Sequence, residues 1–294
     1  MSAKIISGTE IAKQIREELK KEIEELNKKH GVTPGLATVL VGGDPASKVY
    51  VGQKEKSCNN LGLYSKRIDL PGETSEEDIL ALIDKLNKDP QIHGILVQLP
   101  LPKQINESRV LYAIDPAKDV DGFHPVNVGK MVIGEKCFLP CTAHGILELL
   151  VRSGVQTEGA EVVVVGRSNI VGKPVLNLML QKRPTGNATV TLCHTRTKDL
   201  AFHTKRADIL IVATGHPKTV TGDMVKEGVV VIDVGVNRIG KTPEGKAILV
   251  GDVEFNSVKE KAAAITPVPG GVGPMTIVML MKNTVEAARN TVVE

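Results

Sequence analysis

The 294-residue chain contains no tryptophan, four phenylalanines, three tyrosines and four cysteines. With aromatics at 2% its cores must be aliphatic, and the stacking platforms of a single-strand nucleic-acid binder are missing. Cys58, Cys137, Cys141 and Cys193 are too few and too scattered to staple a chain of this length. Cys137 and Cys141 with His144 have a faint metal-ligand spacing, but no fourth ligand and no paired C-x-x-C accompany them, so no metal is expected. Charge of one sign is also lacking: 37 Lys+Arg against 34 Asp+Glu leave +3, with no basic block or tail, which argues against a nucleic-acid partner. No apolar run approaches the roughly 18 residues of a membrane span, and the first residues lack the apolar core of a signal peptide. A reduced, cytoplasmic protein with no membrane partner is the expectation.

What is present is ordinary globular composition, 41% hydrophobic and 24% charged, over a length that suggests two domains. The first half alternates helices and apolar strands. Ser7 and Glu10 form a capping box, Ile11, Ile15, Leu19, Ile23 and Leu26 make a helical stripe, and Gly31 ends it. Leu36 to Val41 reads as a buried strand closed by Gly42 and Gly43. Asp44 and Pro45 supply an N-cap and a first-turn proline, with Gly62 as the stop. Ser75 opens another helix with Ile79, Leu82, Ile83 and Leu86 on one face, and Gly94 to Gln98 is a strand ending at Pro100.

A loop-rich stretch from Asp115 to Pro140 leads to a helix beginning near Thr142, and a second series follows. It reads strand Glu161 to Val165, helix from Ile170, and strands Thr189 to Cys193, Asp208 to Ala213 and Val229 to Val234, before an apolar helix from Met275 to Ala288. This alternation predicts an α/β protein of two doubly wound domains, each a parallel sheet with helices on both faces, with an active-site cleft between them.

Gly166-Arg-Ser-Asn-Ile-Val-Gly172-Lys-Pro174 lies between a four-valine strand and a helix, the layout of a phosphate cradle. The spacing is not G-x-G-x-x-G, so an ordinary glycine-rich turn stays open as the alternative. Sites that prefer NAD usually place an acidic residue at the end of the second strand to hold the ribose diol. Here that strand ends in Cys193-His194-Thr195-Arg196, with no carboxylate. Arg167, Thr195 and Arg196 suit a 2′-phosphate instead, which favours NADP.

In the first half, Tyr50, Lys54, Cys58 and Leu61 share a helix face. Lys54 either snorkels to solvent or is partly buried and suited to proton transfer. Gln98 sits at the carboxyl end of a strand, where open α/β sheets bind ligands, or merely caps that end. Asp121, followed by glycine, is a binding carboxylate or a turn former.

The chain resembles the bifunctional methylenetetrahydrofolate dehydrogenase/methenyltetrahydrofolate cyclohydrolase family from Ile5 to the final helix. The likeness is carried by Val41-Gly-x-Asp-Pro-Ala-Ser47, Tyr50-Val-x-x-Lys54, Gly94-Ile-Leu-Val-Gln98-Leu-Pro-Leu-Pro102 and Lys118-Asp-Val-Asp121-Gly-Phe. It continues in Gly166-Arg-Ser168, Asn187-Ala-Thr-Val-Thr191-x-Cys-His194, Asp233-Val-Gly-Val-Asn237 and Pro267-Val-Pro-Gly-Gly-Val-Gly-Pro-Met-Thr276. Two departures stand out: Ala143 where the family has proline, and a longer segment from Gln181 to Gly186.

The resemblance implies oxidation of 5,10-methylenetetrahydrofolate with NADP, then hydrolysis of the methenyl product to 10-formyltetrahydrofolate. It implies Tyr50, Lys54, Gln98 and Asp121 as catalytic residues: Tyr50 stacking on folate, Lys54 transferring protons, Gln98 positioning Lys54, and Asp121 holding the pterin. Val97, Leu99, Pro269, Gly270, Gly271 and Ile277 would complete the folate site, and Gly166, Arg167, Ser168, Thr195, Arg196 and Val236 the NADP site. It further implies a homodimer through the Rossmann half. The expected domains are a folate-binding catalytic domain over residues 1–140, completed by helix 275–294, and a Rossmann-type NADP-binding domain over 141–274. Rival readings are a dehydrogenase without cyclohydrolase activity, a shikimate-type NADP dehydrogenase, and a non-catalytic NADP-binding sensor.

Overall fold

The structure is a computed structural model that describes residues 3–243 and 245–292. Eleven strands are named in chain order: β1 Lys4–Ile5, β2 Gly35–Val41, β3 Tyr64–Leu70, β4 Gly94–Val97, β5 Glu161–Val165, β6 Thr189–Cys193, β7 Ile209–Val212, β8 Val230–Asp233, β9 Asn237–Lys241, β10 Ala247–Val250 and β11 Ala264–Ile265. The chain divides into two compact units, Gln14–Cys141 with Ile277–Glu294, and Met1–Lys13 with Thr142–Thr276.

The first unit is built on a parallel sheet of order β3-β2-β4. β2 is buried along its whole length, as an apolar central strand requires. Asp44 accepts the Ser47 amide at 2.7 Å and so starts helix Pro45–Leu61, which Gly62 ends in the left-handed conformation. Ser75 caps helix Glu76–Lys88 in the same way, and Ile79, Ile83 and Leu86 pack against Ala37, Val39, Ile95 and Val97. β3 was not anticipated. It pairs on one side only, and its Lys66, Arg67 and Asp69 pair with Asp89, Glu55 and each other, so its sequence carries no apolar run. The stretch expected as loop also contains helix Pro125–Ile133, entered from a His124 cap and left at Gly134.

The second unit carries a six-stranded parallel sheet of order β1-β11-β8-β7-β5-β6. After Thr142 the chain re-enters this unit at β5, lays β6 on one side, then turns back to place β7 and β8 on the other. The doubly wound expectation holds, with the strand order reversing between β5 and β7. Domain membership at the N-terminus differs from the expected boundary. β1 pairs with β11, Lys4 opposite Ala264, so the residues up to Lys13 go with the six-stranded unit rather than with the first. An antiparallel hairpin, β9 with β10, was also unanticipated. The C-terminal helix spans Val272–Asn290 and starts three residues before the expected Met275, because Pro274 is tolerated in a first turn. Among the described residues no helix is long and apolar enough to cross a membrane.

One buried carboxylate fixes the loop beyond β4. Asp119, 2% exposed, accepts the Asn127 side-chain amide at 2.8 Å and the His124 and Phe123 backbone amides at 2.8 and 3.2 Å. Burial outweighs these donors and pushes its pKa up to about 6. The folded value lies above the unfolded one, so the folded protein takes up the proton first as pH falls. Ionised Asp119 therefore costs stability above pH 6, and that cost vanishes on acidification towards pH 4. Relative to Asp119→Asn, the wild type should gain about 1 kcal/mol between pH 7 and pH 5. Urea midpoints at the two pH values measure this, and a pH-independent difference contradicts the raised value.

Candidate active site

In the three-stranded unit the strand order reverses between β2 and β4, and the sequence-predicted residues gather at the carboxyl ends of these strands. β2 runs through Gly42 and Gly43 into the Asp44 cap, so helix Pro45–Leu61 starts at that edge. Lys54 is on its third turn, half-buried, and its Nζ donates to Gln98 Oε1 at 3.0 Å. Gln98 directly follows β4, and its backbone amide still bonds to the Val39 carbonyl on β2 at 2.9 Å. Its side-chain Nε2 donates to the Leu99 carbonyl at 2.7 Å. The amide is thus orientated with its oxygen toward the lysine. Tyr50, one turn earlier, is 46% exposed, while Cys58 and Leu61 are buried. The face read from the sequence therefore runs from solvent into the core, with Lys54 at the boundary. Val97 is buried beneath Gln98, and Leu99 is partly exposed beside it.

Asp121 belongs to the same unit. Burial raises its pKa, and the charge on Lys54 and a hydrogen bond from the Cys141 thiol offset part of that rise. The lysine and the carboxylate are therefore electrostatic neighbours. Burial, followed by the Asp121 charge, holds the Cys141 thiol well above its ordinary pKa, so it remains a protonated donor. Asn283, on helix Val272–Asn290, donates to the carbonyls of Val120 at 2.8 Å and Leu139 at 3.0 Å, tying down the segment that carries Asp121. Sequence reading missed Cys141 and Asn283 as supports. Neither has a local pattern, since both act across more than a hundred residues or through a bend in the loop. Among the described residues no cluster of three His, Cys, Asp or Glu could hold a metal ion.

Pro269, Gly270 and Gly271 belong to the six-stranded unit, where Gly270 O accepts the Thr9 amide at 3.1 Å, whereas Ile277 belongs to the three-stranded one. Pro269 is exposed, Gly271 buried and Ile277 half-buried.

At the switch point of the larger sheet, Gly166 follows β5 with φ +125°, and a Cβ there would come within 2.1 Å of the Ala213 carbonyl oxygen after β7. Only glycine fits. Ser168 Oγ accepts the Val171 and Gly172 amides at 3.1 and 3.3 Å and so caps helix Gly172–Leu180. Arg167 and Arg196 are exposed, with no carboxylate within 4.0 Å among the described residues, and Thr195 lies exposed between β6 and Arg196. The nearest acid beyond β6, Asp199, caps helix Leu200–Thr204 by accepting the Phe202 amide at 3.1 Å. A glycine cradle, a helix N-terminus and two unpaired guanidinium groups fit a dinucleotide carrying an additional phosphate. Val236 is exposed at the end of the turn after β8.

Two buried aspartates in this unit had no role assigned from the sequence, although Asp233 stands in one of the motifs that carry the resemblance. Asp252, 0% exposed, accepts the Thr214 and Gly215 amides at 2.6 and 2.9 Å and the Asn237 side-chain amide at 2.8 Å. Asp233, 2% exposed, accepts the amides of Asp252, Val253 and Gly235 at 2.8, 3.0 and 3.2 Å. Burial pushes Asp233 up to about 6.

Comparison with known proteins accounts for both units. Residues 6–121 match the catalytic domain of tetrahydrofolate dehydrogenase/cyclohydrolase, and residues 140–292 match its NAD(P)-binding domain. The bifunctional protein FolD of Dehalococcoides mccartyi is 64% identical over 292 residues, 99% of each chain. Among solved structures, the bifunctional FolD methylenetetrahydrofolate dehydrogenase/cyclohydrolase of Campylobacter jejuni is 46% identical, with a TM-score of 0.93 over 99% of this chain and 100% of that one. The Trypanosoma brucei methylenetetrahydrofolate dehydrogenase-cyclohydrolase, complexed with NADP cofactor and inhibitor, is 39% identical with a TM-score of 0.94 over the full length of both chains. Matched in both domains and along nearly its whole length, the chain belongs to the tetrahydrofolate dehydrogenase/cyclohydrolase family.

Proposed function

We propose that the chain oxidises 5,10-methylenetetrahydrofolate with NADP+ and hydrolyses the resulting methenyl compound to 10-formyltetrahydrofolate. The observation that carries this reading is the Lys54–Gln98 hydrogen bond with Asp121 as the electrostatic neighbour of Lys54, all within the three-stranded unit. A dehydrogenase lacking the second activity would have no use for that lysine.

A bound NADP+ would supply the hydride acceptor for the one-carbon bridge. The folate nitrogens stabilise the cation left behind, so this step asks the protein for alignment rather than for a base. The exposed ring of Tyr50 offers a stacking face for folate. Asp121 suits the paired N–H donors of the pterin, which a carboxylate accepts together. The glycine turn at Gly166 and the capped helix start at Ser168 would receive the pyrophosphate, Arg167, Thr195 and Arg196 the additional phosphate, and Val236 the flank of the cofactor.

The hydrolytic step adds water to the methenyl carbon. One proton must leave that water, and the hydroxyl proton ends on the departing ring nitrogen as its bond to carbon breaks. Lys54 Nζ, aimed by Gln98 Oε1, is the group placed to accept the first proton. Val97 and Leu99 flank this edge, and Pro269, Gly270, Gly271 and Ile277 complete the folate-binding set that this reading assigns. A homodimer through the six-stranded unit is part of the same reading. β6 is an edge strand of that sheet, and Leu180 and Phe202, on helices packed beside it, are exposed. The buried thiols of Cys58, Cys141 and Cys193 accord with a cytoplasmic setting.

Lys54→Met keeps the length and apolar stem of the side chain but removes the amine. Cyclohydrolase activity should fall by on the order of 10²–10⁴ and dehydrogenase activity far less. Parallel assays of the two steps measure the ratio, and equal losses in a folded variant would remove the proton-transfer role. The cofactor assignment makes its own demand. Replacing Arg167 and Arg196 with glutamine should raise the KM for NADP+ by roughly 10–100-fold while changing that for NAD+ less than twofold. Equal changes for both dinucleotides would sink the phosphate assignment.

A further inference from the structure

The two buried aspartates of the six-stranded unit are used by none of the chemistry above. Neither has an ion-pair partner among the described residues, although each is almost wholly removed from water. Uncompensated buried charge is costly, and here only amide donors offset it. The packing around them is equally demanding. A Cβ on Gly251 would lie 1.7 Å from Asp233 Oδ2, and one on Gly235 would lie 2.0 Å from Asp252 Oδ1. Two backbone turns are thus drawn against the carboxylates as closely as glycine allows.

The donors that converge on Asp252 share one location. Thr214 and Gly215 follow β7, whose carboxyl end borders the switch point, and their amides both go to Oδ2. Ala213, the residue before them, is the one whose carbonyl presses on Gly166. Asn237 opens β9 directly after Val236, and its side-chain amide goes to Oδ1. Asp233, the last residue of β8, holds the Asp252 amide and the Gly235 amide with its own carboxylate. Two stretches of the dinucleotide rim are therefore tied to Asp252, and Asp233 ties both that acid's backbone and the Gly235 turn. The chemistry requires a carboxylate, because both of its oxygens must accept; an asparagine would turn a donor toward one set of donors.

We propose that Asp252, braced by Asp233, is a positioning residue of the dinucleotide site, fixing the turn after β7 and the Val236–Asn237 segment before the cofactor arrives. This rests on the assignment of that edge to NADP. Preorganised loops bind with less ordering cost, so loosening them should appear in cofactor affinity rather than in the folate chemistry of the other unit.

Asp252→Asn should raise the Kd of NADPH, followed by its own fluorescence in a protein without tryptophan, by about tenfold, with a matching rise in the KM for NADP+. Dehydrogenase kcat at saturating NADP+ should fall only a few-fold, and cyclohydrolase turnover, which uses no dinucleotide, less than twofold. Adding Asn237→Asp to Asp252→Asn exchanges donor and acceptor across the contact and leaves the other oxygen for the two backbone amides; because it gives up the 3.2 Å bond from Asn237 Nδ2 to the Gly251 carbonyl, it should recover part of the lost affinity rather than all of it. Should Asp252→Asn not fold, Asn237→Ala removes one donor without touching the backbone amides and should still weaken NADPH binding at least threefold. Unchanged Kd values in whichever of these single variants fold overturn the proposal, as do equal losses of both activities or absence of rescue in the exchanged pair. A wild-type protein that binds no NADPH overturns the dinucleotide assignment beneath it.

Discussion

The 3.0 Å hydrogen bond between Lys54 and Gln98 depends on nearly every feature of the three-stranded unit, and the proposed chemistry depends on it. Lysine is flexible and strongly hydrated, so an amine that must act at one atom has to be aimed. Gln98 does this from a fixed base. Its backbone remains in the sheet, and the Leu99 carbonyl holds its Nε2, which leaves the oxygen to face the helix. Glutamine accepts a hydrogen bond but cannot take a proton, so it directs the amine without competing for its chemistry. Helix Pro45–Leu61 delivers the lysine because the Asp44 cap starts it directly after the glycine pair that ends β2.

The same architecture serves the other unit on a larger scale. In both sheets the strand order reverses once, and the candidate residues lie where the two carboxyl ends part company. In both, a buried acid satisfied by amides rather than by a cation holds the loop beyond a strand: Asp119 beneath the Asp121 segment, and Asp233 with Asp252 around the turns after β7 and β8. Burying such groups costs stability. Their position suggests where that cost is offset, since each anchors backbone at an edge that has to be rigid before a ligand binds.

The sequence was most informative where one strong local pattern sufficed. β2, β4, β5, β7 and β8 are short apolar runs bounded by turn residues, and the Asp44 and Ser75 caps stand three residues before the amides they accept. Local pattern failed for β3, whose charged side chains face solvent at a sheet edge, and for β1 and β11, which are too short for any period to show. The pairing of β1 with β11 joins residues some 260 apart in sequence, as Lys4 opposite Ala264 shows, so membership of the first residues in the second unit had no local signal. At the site, helical spacing put Lys54 on the right face, but the 44-residue jump to Gln98 came from the sheet. Cys141, Asn283 and Asp252 are supports recognisable only once distant carbonyls and amides are placed beside them. Glycine directly before Asp252 is the one hint the chain offers, because at Gly251 the backbone is pressed close to the Asp233 carboxylate.

The central claim is that Lys54 accepts a proton in the hydrolytic step while Gln98 aims it. Gln98→Glu tests this most directly, because it keeps an acceptor oxygen in place but sets a negative charge beside the amine. An opposite charge at hydrogen-bond distance favours ammonium, so a lysine acting as base should need a higher pH to lose its proton. The rising limb of the pH profile of cyclohydrolase kcat/KM should therefore move upward by about 1 unit or more in the variant. A limb that stays where it is in wild type, in a folded variant with measurable turnover, would show that the titrating base is some other group.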